Sequence, residues 1–88
     1  MKIKEGFVLH SVGEENVVVA IGKMTAQFRG MIRLNSTGAF IFRCLEKDTD
    51  EKGVIDALMS EYSIDETTAT TAATTFIAQL ENAGVLDK

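Results

Sequence analysis

The sequence has few of the residues from which catalytic and metal sites are built. It contains one cysteine and one histidine, so an internal disulfide is impossible and no thiol cluster is available for zinc or iron–sulfur. No nucleophile–base pair, glycine-rich phosphate loop or metal-ligand spacing is present. The sequence therefore predicts no catalytic residues, no metal and no cofactor.

The two reactive side chains have ordinary structural interpretations. His10 lies in an alternating strand pattern, where a surface or half-buried residue is favoured over a catalytic one. Cys44 lies on the apolar face of a predicted helix, and a buried free cysteine commonly behaves as a small hydrophobe. A structural role is therefore expected for both residues.

Long apolar segments are also missing. No segment approaches the ~20 apolar residues that are needed to span a membrane. The N-terminal Met-Lys-Ile-Lys-Glu is not followed by the apolar core of a signal peptide. We therefore expect a cytoplasmic protein with no membrane partner.

Charge is unevenly distributed along the chain. The net charge is −4, but residues 1–43 carry six Lys/Arg and three Glu, whereas residues 44–88 carry three Lys and ten Asp/Glu. The first half is thus mildly basic and the second half strongly acidic. An acidic partner should be attracted to the first half and repelled by the second.

The first half of the chain has the pattern of β-strands. Residues 7–12 and 17–21 are separated by a Gly- and Asn-containing turn and predict a hairpin. Residues 22–30 show neither a strand period nor a helix period, so a loop or a bent strand remains open there. Residues 31–34 alternate like a half-buried strand.

The second half predicts three helices with short connections. They should cover about residues 36–46, 51–62 and 66–83, and Gly84 suits a left-handed residue after the last helix. The candidate N-cap residues are Asn35, Ser36 and Thr37, then Asp48, Thr49 and Asp50, then Ser63 and Asp65. We therefore predict one α+β domain over residues 1–88, a winged helix-turn-helix-like fold with a three-stranded antiparallel sheet followed by three helices.

A helix-turn-helix suggests DNA binding, but the charge of the third helix argues against it. From Ile64 onward the only basic residue is Lys88, and four residues are acidic. A recognition helix needs Arg or Lys to neutralise phosphates. No nucleic-acid partner is therefore expected.

Several segments, in their order and spacing, resemble the PqqD family, the small peptide-recognition domains used in making ribosomal peptide natural products. The resemblance covers about residues 8–87. The segments are Leu34-Asn35-Ser36-Thr37, Phe40-Ile41-Phe42-Arg43-Cys44-Leu45, Asp48-Thr49, Tyr62-Ser63-Ile64, Phe76-Ile77-Ala78-Gln79-Leu80 and Gly84-Val85-Leu86.

The sequence also departs from the family pattern. Gly38 stands where the family usually has alanine, and Phe42 stands where tryptophan is frequent. Glu46-Lys47 replaces a common Asp-Gly turn, and Ala72-Ala73 replaces a polar–apolar pair. These differences leave open whether the chain serves pyrroloquinoline quinone biosynthesis or another peptide pathway.

The resemblance implies a non-catalytic peptide chaperone. Family members bind the leader part of a precursor peptide and present it to a modifying enzyme, often a radical SAM protein. The leader adds as a strand to the edge of the sheet, in a groove against the third helix. The expected edge consists of Met31, Ile32, Arg33 and Leu34, with Arg33 as the anchor for an acidic leader residue.

The other wall of the implied groove is a flank of the third helix. Thr70, Thr74 and Ile77 lie near one edge of its apolar stripe, and Thr71 and Ala78 lie further round. A solvated threonine face is the structural alternative, and the flank that faces the sheet is left open. A bare sheet edge also permits a homodimer. The alternative function is a winged-helix regulator or a generic protein–protein interaction domain.

Overall fold

The three-stranded sheet and the three helices follow the predicted order. The computed structural model describes residues 1–28 and 30–87. The strands are β1 (Lys2–Ile3), β2 (Phe7–Val12), β3 (Glu15–Ala20), β4 (Ile32–Leu34) and β5 (Leu86–Asp87). The helices are α1 (Ser36–Cys44), α2 (Glu51–Tyr62) and α3 (Glu66–Asn82), and a 3₁₀ helix covers Gly22–Ala26.

A three-stranded antiparallel sheet with the order β2-β3-β4 precedes the three helices, which confirms the predicted fold. Val12 pairs with Glu15 across a tight turn, so β3 begins two residues earlier than predicted. Gly13 occupies this turn with a φ of 62°, a conformation that glycine adopts without a Cβ penalty. The 3₁₀ helix occupies much of residues 22–30, the segment that shows no clear period in the sequence. Arg29 in this segment lies outside the described residues.

Each helix begins with a side-chain cap from its predicted group of candidates. A side-chain oxygen of the N-cap residue accepts a hydrogen bond from the backbone N–H three residues later, at 2.8 Å in each case. The capping pairs are Asn35 with Gly38, Asp50 with Gly53, and Asp65 with Thr68.

The helix ends differ slightly from the prediction. Helix α1 ends at Cys44 rather than at residue 46. After α3, Gly84 has a φ of 78°, its N–H donates to the carbonyl of Glu81, and the N–H of Val85 donates to the carbonyl of Leu80. These two bonds satisfy carbonyls that the helix leaves unpaired, as the predicted left-handed glycine requires.

A second, smaller sheet was not predicted. Strand β1 pairs with β5, with Ile3 opposite Leu86. The N–H of Ile3 also donates to the carbonyl of Leu45, and the N–H of Lys4 donates to the carbonyl of Val85. These bonds fasten the N-terminal segment to the end of α1 and to the segment after α3. Strands of two residues are too short to show a period in the sequence.

The core lies between the inner face of the sheet and the helices. Val18 of the central strand is fully buried there, as are Ile41, Phe42 and Leu45 at the end of α1. Phe42, which stands where the family often has tryptophan, is therefore a core residue. Phe40 is only half-buried and packs edge-to-face on Tyr62 of α2, with ring centroids 5.5 Å apart.

Candidate functional site

Strand β4 forms one edge of the three-stranded sheet. It pairs with β3 along one side, and among the described residues no strand pairs with its other side. Ile32 lies opposite the buried Val18, which places the side chains of Ile32 and Leu34 on the inner face. An edge of this kind presents backbone N–H and C=O groups to an added strand.

The side chains on the outer side of this edge are accessible. Met31 immediately precedes β4 and is 58% exposed, and Arg33 points to the outer face. The guanidinium of Arg33 lies 4.0 Å from a carboxylate oxygen of Glu15, and both side chains are largely exposed. A surface pair of this length contributes little stability. Arg33 can therefore exchange this contact for the carboxylate of a partner at little cost.

The Phe76 side of α3 lies next to the start of α1. A Cβ added at Gly38 would collide with Cε1 of the Phe76 ring and would lie 2.8 Å from its Cζ. The half-buried ring therefore rests on the first turn of α1, in the space that the glycine leaves. Because α1 begins directly after β4, Phe76 packs on the turn that follows the end of the open edge.

The opposite flank of α3 faces α2. Thr70 lines an open depression together with residues of α2 and with the first residue of α3. Thr70 and Phe76 lie about 120° apart around a helix with 3.6 residues per turn, so they cannot both face β4. The α2 and α3 residues around Thr70 are Glu51, Lys52, Ile55, Asp56 and Glu66.

The structure brings the four predicted residues at β4 together but separates them from Thr70. The sequence proposed Thr70 as part of a groove wall and left open which flank of α3 faces the sheet; in the structure Thr70 lies next to α2. Ile77 is 7% exposed and belongs to the core, whereas Thr71, Thr74 and Ala78 are exposed. The Thr71 and Thr74 hydroxyls donate to backbone carbonyls of α3, at 3.0 Å to Thr67 and at 2.8 Å to Thr70.

Sequence reasoning missed Phe76 as a residue next to the open edge. Ala72, Gln79 and Ala83 share its flank by helical spacing, and Ala72 and Ala83 are half-buried. Gly38 was the feature of the sequence that could have indicated this contact, because a glycine in the first turn of a helix often allows another group to approach closely. The size of the side chains on α3 gave no indication of which flank that group belonged to.

The candidate reactive residues lie apart from this edge. His10 is exposed in β2, which is the opposite edge strand of the sheet. Cys44 is half-buried, and desolvation raises the pKa of its thiol, which makes it a weaker nucleophile at neutral pH. Among the described residues no group of His, Cys, Asp and Glu side chains could hold a metal ion. No helix in the described part of the chain is long and apolar enough to cross a membrane.

Comparisons with known proteins show the family and the fold of the chain. The family model described as "Coenzyme PQQ synthesis protein D (PqqD)" matches residues 8–86. The chain is similar to a solved structure described as "TbiB1 in Complex with the TbiA(beta) Leader Peptide", with 25% identity and a TM-score of 0.77 over 99% of this chain and 95% of that one.

A second solved structure has the same fold. It is described as "Lasso peptide synthetase B1 complexed with the leader peptide", and it shares 20% identity and a TM-score of 0.73 over 96% of this chain and 93% of that one. No curated protein matches the chain. The family match extends over most of the chain, and the structural likeness covers the sheet and all three helices. The chain belongs to the PqqD family.

Proposed function

We propose that the chain binds the leader segment of a ribosomally made precursor peptide by accepting it as an additional strand on β4. The observation that carries this proposal is the open edge of β4 beside the Phe76 flank of α3. Family membership supports it, as does the similarity to two proteins whose structures are described as leader-peptide complexes. Backbone pairing would supply affinity, and side-chain contacts would fix the register.

The alternation of β4 assigns different roles to its residues. A leader strand also alternates, so its side chains would lie in turn on the inner and outer faces of the sheet. Inner side chains would contact Ile32, Leu34 and the Phe76 flank, which favours apolar leader residues. An outer acidic side chain would meet Arg33, and Met31 would offer apolar contact next to it.

The α3 contacts in the proposal differ from those taken from the sequence. Phe76 and its neighbours on the same flank are the proposed wall, because Phe76 packs on the first turn of α1, which directly follows β4. Contacts from Thr70, Thr71, Thr74 and Ala78 would require the peptide to cross to other sides of α3. Ile77 would contribute from beneath the surface, since it is 7% exposed.

The proposed role is presentation of the peptide to another protein that performs the chemistry. The recipient would be a modifying enzyme, of the radical SAM type or another, in pyrroloquinoline quinone or other peptide natural-product biosynthesis. The contribution of this chain would be non-catalytic and would take place in the cytoplasm, where ribosomal precursors are made. A homodimer through β4 would compete with the peptide for the same edge.

A titration with the precursor encoded beside this chain tests the proposal. Backbone amide shifts should concentrate at residues 31–34 and around Phe76, and they should saturate with the peptide. Shifts confined to α2, or no binding, would contradict the proposal. Sedimentation of the free chain would reveal a dimer that uses the same edge.

A further inference from the structure

The hydrogen-bonding phase of the sheet identifies the backbone groups that β4 leaves free. The N–H of Ile21, directly after β3, donates to the carbonyl of Gly6, so every second residue of β3 counted from Ile21 bonds to β2. The alternate residues of β3 face β4 and pair with Ile32 and Leu34. The N–H and C=O groups of Ile32 and Leu34 therefore point towards β3, and those of Arg33, between them, point to the open edge.

The leader segment that can bond to this edge is short. The observed strand pairs are all antiparallel, and antiparallel pairing is also the more stable arrangement per residue. Alternation directs Met31 and Asn35 to the open edge as well, but the carbonyl of Asn35 already accepts the N–H of Ala39 in α1. Arg33 is therefore the central contact, and one leader residue directly opposite would exchange two hydrogen bonds with it. The side chain of that leader residue would lie on the outer face, beside the Arg33 side chain.

Glu15 competes for the guanidinium that this leader residue would meet. Nη1 of Arg33 lies 4.0 Å from Oε1 of Glu15. Because Glu15 belongs to β3, this contact draws the guanidinium towards β3 and away from the open edge. The two side chains are 73% and 61% exposed, so the contact is weak and can be replaced. A leader carboxylate at the edge would be attracted by Arg33 and repelled by Glu15.

We propose that Glu15 sets the charge specificity of the leader site by partly neutralising Arg33. The inference rests on the proposed function, since it concerns the same edge. A carboxylate directly opposite Arg33 is held in place by the two backbone hydrogen bonds and can compete with Glu15. A carboxylate one position earlier or later in the leader would instead lie on the inner face, against Ile32 and Leu34. The preferred leader segment therefore carries one acidic residue between two apolar residues.

The neighbouring Glu14 provides a matched control for Glu15. It is exposed in the hairpin turn, and its substitution by glutamine changes the net charge by the same amount, whereas the ion pair with Arg33 comes from Glu15. We expect Glu15→Gln to raise the affinity for the precursor about threefold and Glu14→Gln to change it by less than about 1.5-fold. Glutamine keeps the shape of both side chains, so the fold should be unaffected.

The test is a calorimetric titration with the precursor encoded beside this chain. A set of precursor variants replaces each acidic leader residue in turn by its amide. The gain from Glu15→Gln should disappear for one of these variants and in the Arg33→Gln background, and it should shrink as salt rises. A purely structural role of Glu15 would not depend on the charge of the leader.

The possible outcomes separate the two proposals. Failure of the wild type to bind the precursor would overturn the proposed function. Intact binding at residues 31–34 with equal affinities for wild type and Glu15→Gln, or with a gain that persists for every amide variant, would overturn the specificity inference alone. A loss of affinity in Glu15→Gln would show that Glu15 positions Arg33 for the leader, and it would also overturn the inference. A bound leader segment without an acidic residue would do the same.

Discussion

The two flanks of α3 differ in composition and in the elements that they face. One flank carries Phe76, whose ring rests on Gly38 next to the end of β4. The other carries Thr70, which lies beside α2 near three acidic residues and one basic residue: Glu51, Asp56, Glu66 and Lys52. The sequence alone left open which of these flanks forms the wall of a peptide groove. The comparison shows that neighbouring elements decide which flank is near the open edge, and that the threonine flank would repel an acidic leader.

The largest expected contrast is between Phe76→Ala and Thr70→Ala. Loss of the half-buried Phe76 ring should lower the free energy of unfolding by about 2 kcal/mol and weaken precursor binding by at least about tenfold. Thr70→Ala should change affinity by less than about twofold and raise stability by up to about 0.5 kcal/mol through helix propensity. Calorimetric titration and urea unfolding measure the two effects. Equal losses of affinity in both variants would remove the distinction between the flanks.

A second contrast compares two glycines at the same position of different helices. Gly38 and Gly53 each donate their N–H to the N-cap side chain, but a Cβ at Gly38 meets Phe76, whereas a Cβ at Gly53 meets Thr49 and Asp50 in an exposed turn. Gly38→Ala should displace the Phe76 ring and weaken precursor binding about fivefold, by roughly 1 kcal/mol. Gly53→Ala should leave affinity unchanged.

The two glycine variants are best followed through the ring itself. The aromatic proton shifts of Phe76 should move in Gly38→Ala and stay in place in Gly53→Ala. Helix propensity favours alanine over glycine by roughly 0.8–1 kcal/mol and offsets part of the cost of crowding, which is typically ~1–3 kcal/mol in a packed site. An unchanged Phe76 spectrum in Gly38→Ala would contradict the observed contact.

A smaller contrast compares a basic residue of β4, Arg33, with a basic residue of α2, Lys52. Arg33→Gln should weaken binding of a leader that carries an acidic residue about threefold, and the effect should shrink as salt rises. Lys52→Gln, which removes a comparable surface pair with Asp56, should have no effect on affinity. Stability should change by less than about 0.5 kcal/mol in both variants. Affinity measured at several salt concentrations checks this expectation.

The smallest expected effect is a pH dependence at the start of α3. Hydrogen bonds from the side chain and then the backbone N–H of Thr68 lower the pKa of the Asp65 carboxyl. The stabilisation by this cap is therefore complete above the unfolded-state pKa and is lost as the pH falls through the lowered folded-state pKa. Asp65→Asn should remove this dependence, since asparagine caps without titrating, as Asn35 does for α1. Thermal unfolding between neutral and acidic pH measures it.

The sequence predicted the elements whose patterns are long enough to be read. Strand β2 and helix α2 match their predicted bounds because alternation and a regular apolar stripe identify them. The caps were also predictable, since each helix starts with a residue whose side chain can bond its own backbone. Strands β1 and β5 were missed because their pairing depends on the whole chain being folded.

The candidate site could be predicted only in part for a similar reason. The four residues at β4 are consecutive in the chain, so a strand pattern was enough to bring them together. The flank of α3 that borders β4 depends on how α1 and α3 pack, and no periodicity within α3 contains that information. Gly38 is the only local signal in the sequence, and the Phe76 ring occupies the space that it leaves.

The most direct test of the central claim is whether the leader pairs with β4 through its backbone. An edge strand offers bonds to every second residue of its neighbour. Two versions of the leader, N-methylated at alternate residues in opposite phase, should therefore differ in affinity. We predict that one version binds at least about tenfold more weakly while the other stays within about threefold of the unmodified peptide. Equal affinities for the two versions would contradict strand addition.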